Sequence, residues 1–145
     1  MLKAVFFAHA EDFENEYELR RWLDIDLRKY REGRYYLRKG SGLGLLEAGS
    51  IVFFHKNRYV VGWAVVKEDR RELKPEEVKR LVDAEKKGFE SVIQFDPTSI
   101  WVWSHDKMLP VEIAEKIIGK EIKRGYSVVD DLSGVLAILQ AAMRQ

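Results

Sequence analysis

The stretch Arg28–Gly40, RKYREGRYYLRKG, concentrates the residues best suited to chemistry. It holds six basic residues (Arg28, Lys29, Arg31, Arg34, Arg38 and Lys39), one acid and three tyrosines. Cations neutralise phosphates and release counterions, while aromatic faces stack on bases whatever their order. Arg34–Arg38 (RYYLR) reads as a short strand. Period-two alternation then puts Arg34, Tyr36 and Arg38 on one face and Tyr35 and Leu37 on the other. A solvent face of that kind is a phosphate-binding and stacking strip. The same cations can instead be solvated partners of the acidic segment Glu11–Glu18, with Tyr35 and Leu37 in the core.

Tryptophan is the second feature, with Trp22, Trp63, Trp101 and Trp103 in one small chain. Trp63 follows Gly62, where the backbone can be approached closely. Trp22 adjoins the basic stretch. Together with Tyr36 they are the candidates for a base-stacking pocket. Trp101 and Trp103 share one face of an expected strand, which suits core packing or a partner surface.

Other chemistries find less support. His9, His55 and His105 stand singly, without metal-ligand spacing, so neither a metal nor a cofactor is expected. His9 with Glu11 or Asp12 offers the alternative of an enzyme acting on nucleic acid or nucleotide. No serine stands in GxSxG. Gly40–Gly44 lacks the phosphate-loop and dinucleotide spacings and reads as a turn.

Composition sets the frame for these residues. The chain has 145 residues, 25 basic and 24 acidic, with 46% hydrophobic residues. One folded domain with a substantial core is expected. The near-neutral total conceals a local split. Met1–Glu18 holds one lysine against five acids, whereas Leu19–Gly44 holds eight Lys/Arg against three acids. With no cysteine, disulfides, thiolate metal sites and cysteine nucleophiles are excluded. Met1–Ala8 is followed by acids and does not read as a secretory leader. No apolar run is long enough for a membrane span. A cytoplasmic location is the expectation, and abundant Lys, Arg and Glu beside few amides resemble thermophile usage.

The elements that position these residues can be read coarsely. Leu2–Ala8 is an expected strand and Glu11–Leu23 an expected helix. Ser50–His55 and Arg58–Lys67 flank Lys56–Asn57 as a hairpin, with Gly62 marking a bulge or close approach. Pro75 opens a helix that Lys86–Gly88 closes. Ser91–Phe95 and Ser99–Trp103 are short strands around Asp96–Pro97. Val111–Ile118 is a helix ended by Gly119. A last helix after Asp130 carries Leu132, Val135, Leu136, Leu139 and Met143 as one apolar stripe.

The run Gly49–Phe54 (GSIVFF), then Tyr59–Val66 (YVVGWAVV) and Phe95–Trp103 (FDPTSIWVW), resembles PUA-like domains, especially the EVE-type branch. The matching residues are Gly49, Val52, Phe53, Phe54, Val61, Gly62, Ala64 and Val66, within roughly Trp22–Trp103. Ser50 replaces the family's usual acid after the turn glycine, and Leu2–Ala8 lacks the branch's tryptophan motif. The resemblance implies an α+β fold: a small mixed, mainly antiparallel β-barrel with flanking helices, spanning residues 1–145 as one domain. It also implies a partner that is RNA, or DNA carrying a modified or flipped base. The expectation is a non-enzymatic binding domain with no membrane association. An interaction module or homodimer built on the Trp101–Trp103 face or the last helix is the further alternative.

Overall fold

β-Branched and aromatic runs become strands, and a computed structural model describes residues 3–8, 13–81, 88–130 and 132–144. Strand β1 is Ala4–Ala8. It pairs in parallel with β3 (Ile51–Lys56) and antiparallel with β8 (Tyr126–Val129). β3 and β4 (Tyr59–Glu72) form the expected hairpin. Its turn residues Asn57 and Arg58 both have positive φ, 51° and 67°. That mirror-image turn matches the twist of the two strands. β4 runs well past Lys67, because its charged tail is held by pairing with β5 (Phe89–Phe95), Arg71 lying opposite Val92. β2 (Arg34–Arg38) has the expected bounds and pairs antiparallel with β5. Two short strands, β6 (Trp101–Val102) and β7 (Leu109–Pro110), also pair with β4.

The result is a mixed α+β fold around an eight-stranded, mostly antiparallel sheet of order β2-β5-β4-β3-β1-β8. The sheet is not closed into the expected small barrel: among the described residues no ladder joins the end strands β2 and β8. The sheet coils until the Tyr35 ring on β2 meets Phe7 on β1, 6.4 Å between centroids. Side chains occupy the remaining gap. The glycine-rich segment expected as a turn forms a 3-10 helix, Gly42–Leu45, and Gly42 rests against the Tyr126 ring of β8.

Helix α1 (Glu16–Arg21) starts at Asn15, whose side-chain oxygen accepts from the Glu18 N–H at 3.0 Å. It continues beyond Leu23 as a π-helix, Trp22–Tyr30. Leu19, Leu23 and Leu27, spaced by four, are fully buried. Leu23 reaches Gly62 on β4, so Gly62 marks a close approach. A Cβ there would collide with the Trp101 carbonyl oxygen and lie 2.9 Å from Leu23. Gly62→Ala is expected to cost about 2 kcal/mol of stability, read as a lower urea midpoint with an unchanged slope.

Helix α2 is Pro75–Arg80, and α3 is Val111–Ile118. The residues expected to close α2 from Lys86 lie partly outside the described residues. Helix α4 (Leu132–Met143) packs only part of the expected stripe, Val135 and Leu139, against the core. Gly134, Val135, Ile138 and Ala142 are buried, whereas Leu132, Leu136 and Met143 are 67%, 58% and 80% exposed. Gly134 explains the rotation. Its bare Cα lets α4 approach the Ile118 backbone at the end of α3, so the small-residue side turns inward.

Candidate functional site

The alternation read in Arg34–Arg38 sets the geometry. Tyr35 and Leu37 are buried, opposite Ile93 and Ser91 of β5. Arg34 and Tyr36 are half-buried and Arg38 is exposed on the other side. There the Arg31 guanidinium lies 5.5 Å above the Tyr36 ring. Tyr36 is 5.9 Å from the Phe89 ring, inclined by 38°. The Arg38 guanidinium lies 5.7 Å from the same phenyl ring. Arg31, Tyr36, Phe89 and Arg38 thus form a continuous line of cation, ring, ring and cation. Each such contact sets a guanidinium against an aromatic ring. A guanidinium plane of this kind is suited to stacking.

Arg71 of β4 flanks this line, since Val92 pairs with Tyr36 on one side and Arg71 on the other. Arg71 donates through both terminal nitrogens to the Glu77 carboxylate, at 2.8 and 2.9 Å. Those bonds, with the Lys74 backbone N–H, hold Glu77 down at about 2. Arg71 is correspondingly raised, chiefly by the Glu77 bond.

The other basic candidates differ from one another. Arg28 is committed to Asp24 one turn earlier at 2.8 Å, and its buried Nε has no hydrogen-bond partner among the described residues. Lys29 and Lys39 are exposed at the end of the π-helix and just after β2.

The three stacking candidates do not share one pocket. Trp22 is half-buried against Tyr35 (5.7 Å, 86°) and Phe13 (5.7 Å), and Tyr35 points away from Tyr36 across β2. Trp63 stacks face to face on Trp101, 4.4 Å apart and 14° from parallel, with Trp103 edge-on at 5.5 Å. Trp101 fills the slot that a base would need on that face. Only Tyr36 lies on the basic line. Trp103 is buried at 1% exposure, and Trp101 is half-buried with Trp63.

Of the histidines, His55 is buried and its Nε2 has no hydrogen-bond partner among the described residues. Burial, then the charge of Arg58, lowers it to about 4. His9, Glu11 and Asp12, the alternative catalytic group, lie outside the described residues. Among the described residues, no three His, Asp or Glu side chains gather as a metal site. No helix among them is long and apolar enough to cross a membrane.

Phe89 is the site residue that sequence periodicity misses. Counted along β5, it falls in phase with the inward Ser91, Ile93 and Phe95. An irregularity between Leu37 and Arg38 makes Phe89, rather than Glu90, the partner of Arg38. That slip of one residue turns the ring to the outer face.

No protein-family model matches this chain, and no curated protein matches it. Among solved structures it is similar to a hypothetical protein from Leishmania major, at 12% identity with a TM-score of 0.56. The likeness covers 100% of this chain and 97% of the other. At that identity it concerns the fold alone.

Proposed function

We propose that the chain is a nucleic-acid-binding domain that takes a single-stranded segment, RNA foremost, along the outer face of β2, on a PUA-like variant of the α+β fold. The observation that carries this reading is the line Arg31–Tyr36–Phe89–Arg38. Unstacked bases lie on aromatic rings and on guanidinium planes, and two rings flanked by two guanidinium groups stand in line here. Arg34 stands on the same face, and Lys29 and Lys39 add positive charge near its two ends. The local excess of base over acid from Leu19 to Gly44 supports the same partner.

The test is fluorescence anisotropy with a labelled single-stranded RNA at several salt concentrations. The logarithm of affinity should fall linearly with the logarithm of salt, by about 0.7 per phosphate contact. Arg34→Ala should flatten that slope by about 0.7, and Tyr36→Ala should weaken binding by about 1–3 kcal/mol. No binding of RNA or DNA at low salt would reject the reading.

A further inference from the structure

At the end of β2 the strip meets a cleft of about 170 Å³, formed where the glycine-rich segment crosses β4 and β5. Whole small-molecule ligands need about 300 Å³ or more. A space of this size suits one planar group. Arg38 lines the cleft while also lying over Phe89, but Leu37 and Ser91 line it too, so it opens at the end of β2 towards the side of Leu37 and not that of Tyr36. Arg70 enters from the tail of β4, with its Cδ 3.0 Å from where a Cβ on Gly44 would stand. Glu90 and Ser91 of β5 form the opposite lining.

Three polar groups in this lining are unspent. Neither Arg70 nor Glu90 has an ion-pair partner among the described residues, and the Ser91 hydroxyl has no hydrogen-bond partner among them. Ser91 is only 1% exposed. The complementary ligand must offer acceptors to a guanidinium fork and donors to a carboxylate, and needs no net charge of its own. A phosphate meets the first demand and is repelled by Glu90. Among nucleobases, guanine presents O6 and N7 to an arginine fork, and its N1–H and N2 amino group to a carboxylate. Adenine lacks the oxygen acceptor, uracil lacks the amino donor, and cytosine offers a carboxylate its N4 amino group alone, not a pair of parallel donors.

We infer that this cleft holds one unstacked guanine base, with Arg70 and Glu90 reading its edge. The inference rests on the nucleic-acid reading above, and its test separates the two. Four labelled RNA pentamers, UUXUU with X as G, A, C or U, are titrated by anisotropy at one salt concentration. The G pentamer should bind about 10-fold tighter than the others. Glu90→Ala should erase that advantage, so that the G pentamer binds no tighter than the other three. Arg70→Lys keeps the charge but loses the fork, and should erase it too. Both side chains are exposed, and unchanged thermal melts show that the variants fold. Equal binding of the four pentamers, or preference for another base, overturns the guanine assignment and leaves the nucleic-acid reading intact. A guanine preference that survives both substitutions overturns the placement in this cleft. Failure of all four to bind overturns both.

Discussion

Gly33→Ala will lower the melting temperature by about 10 °C, a loss of about 3 kcal/mol or more. Gly33 has φ +84°, a conformation that costs an ordinary side chain about 1–3 kcal/mol. Its missing Cβ is also where the Phe95 carbonyl oxygen sits, with the Gln94 amide nitrogen 2.8 Å away. The backbone on both sides is committed. The Gly33 N–H donates to the Leu27 carbonyl at 2.7 Å, and the Gly33 carbonyl accepts from the Phe95 N–H at 2.8 Å. The new methyl cannot be accommodated without parting the start of β2 from β5. The same parting would misplace Tyr36 against Phe89. The variant should therefore lose RNA affinity along with stability, whereas Gly62→Ala, remote from that line, should lose stability alone.

Acid will destabilise the protein through His55 before the carboxylates titrate. His55 is held neutral by burial, lowered from 6.5 to about 4. Its ordinary value in the unfolded chain lies above its folded one. The unfolded state therefore takes up the proton first, and stability falls as pH drops from about 6.5 towards 4. A shift of that size corresponds to about 3 kcal/mol at the lower end. Above pH 6.5 the penalty is absent. Urea melts at pH 7, 6, 5 and 4.5 should show the midpoint falling throughout this range. His55→Leu should flatten it, since the ring's neighbour Phe6 lies 6.4 Å away in an apolar setting. An unchanged slope in that variant would show that other groups carry the acid response. Glu77, Asp96 and Glu115 are also lowered, each first by a hydrogen bond, and so act at lower pH than His55.

Local patterns made much of this fold readable. The hairpin of β3 and β4, the alternation of β2 and the bounds of α3 all follow from periods and turn residues that lie close in the chain. What the pattern could not supply were contacts between distant segments. β8 carries only four residues and exists because it pairs with β1. The tail of β4 is charged throughout and is a strand only because β5 lies beside it. The inward face of α4 takes Val135 and Leu139 from the expected apolar row, but the close approach of Gly134 to Ile118 leaves Leu132, Leu136 and Met143 outside. The candidate site divides in the same way. The face shared by Arg34, Tyr36 and Arg38 was written in β2 itself. Its partner Phe89 came from a register slip, and Trp63 and Trp22 were drawn away by Trp101 and Tyr35.

β2 ends the hydrogen-bonded order, and among the described residues no strand pairs with its second side. Such a margin invites another chain to add on and grow a fibre, and cationic side chains are one natural guard against it. Arg34 and Arg38 would then serve two ends at once, attracting a polyanion and holding apart the margins of neighbouring molecules. A polyanion that settles on them cancels that repulsion. Loaded protein should accordingly turn cloudy at concentrations where the free protein stays clear, and added salt should clear it by stripping the polyanion away.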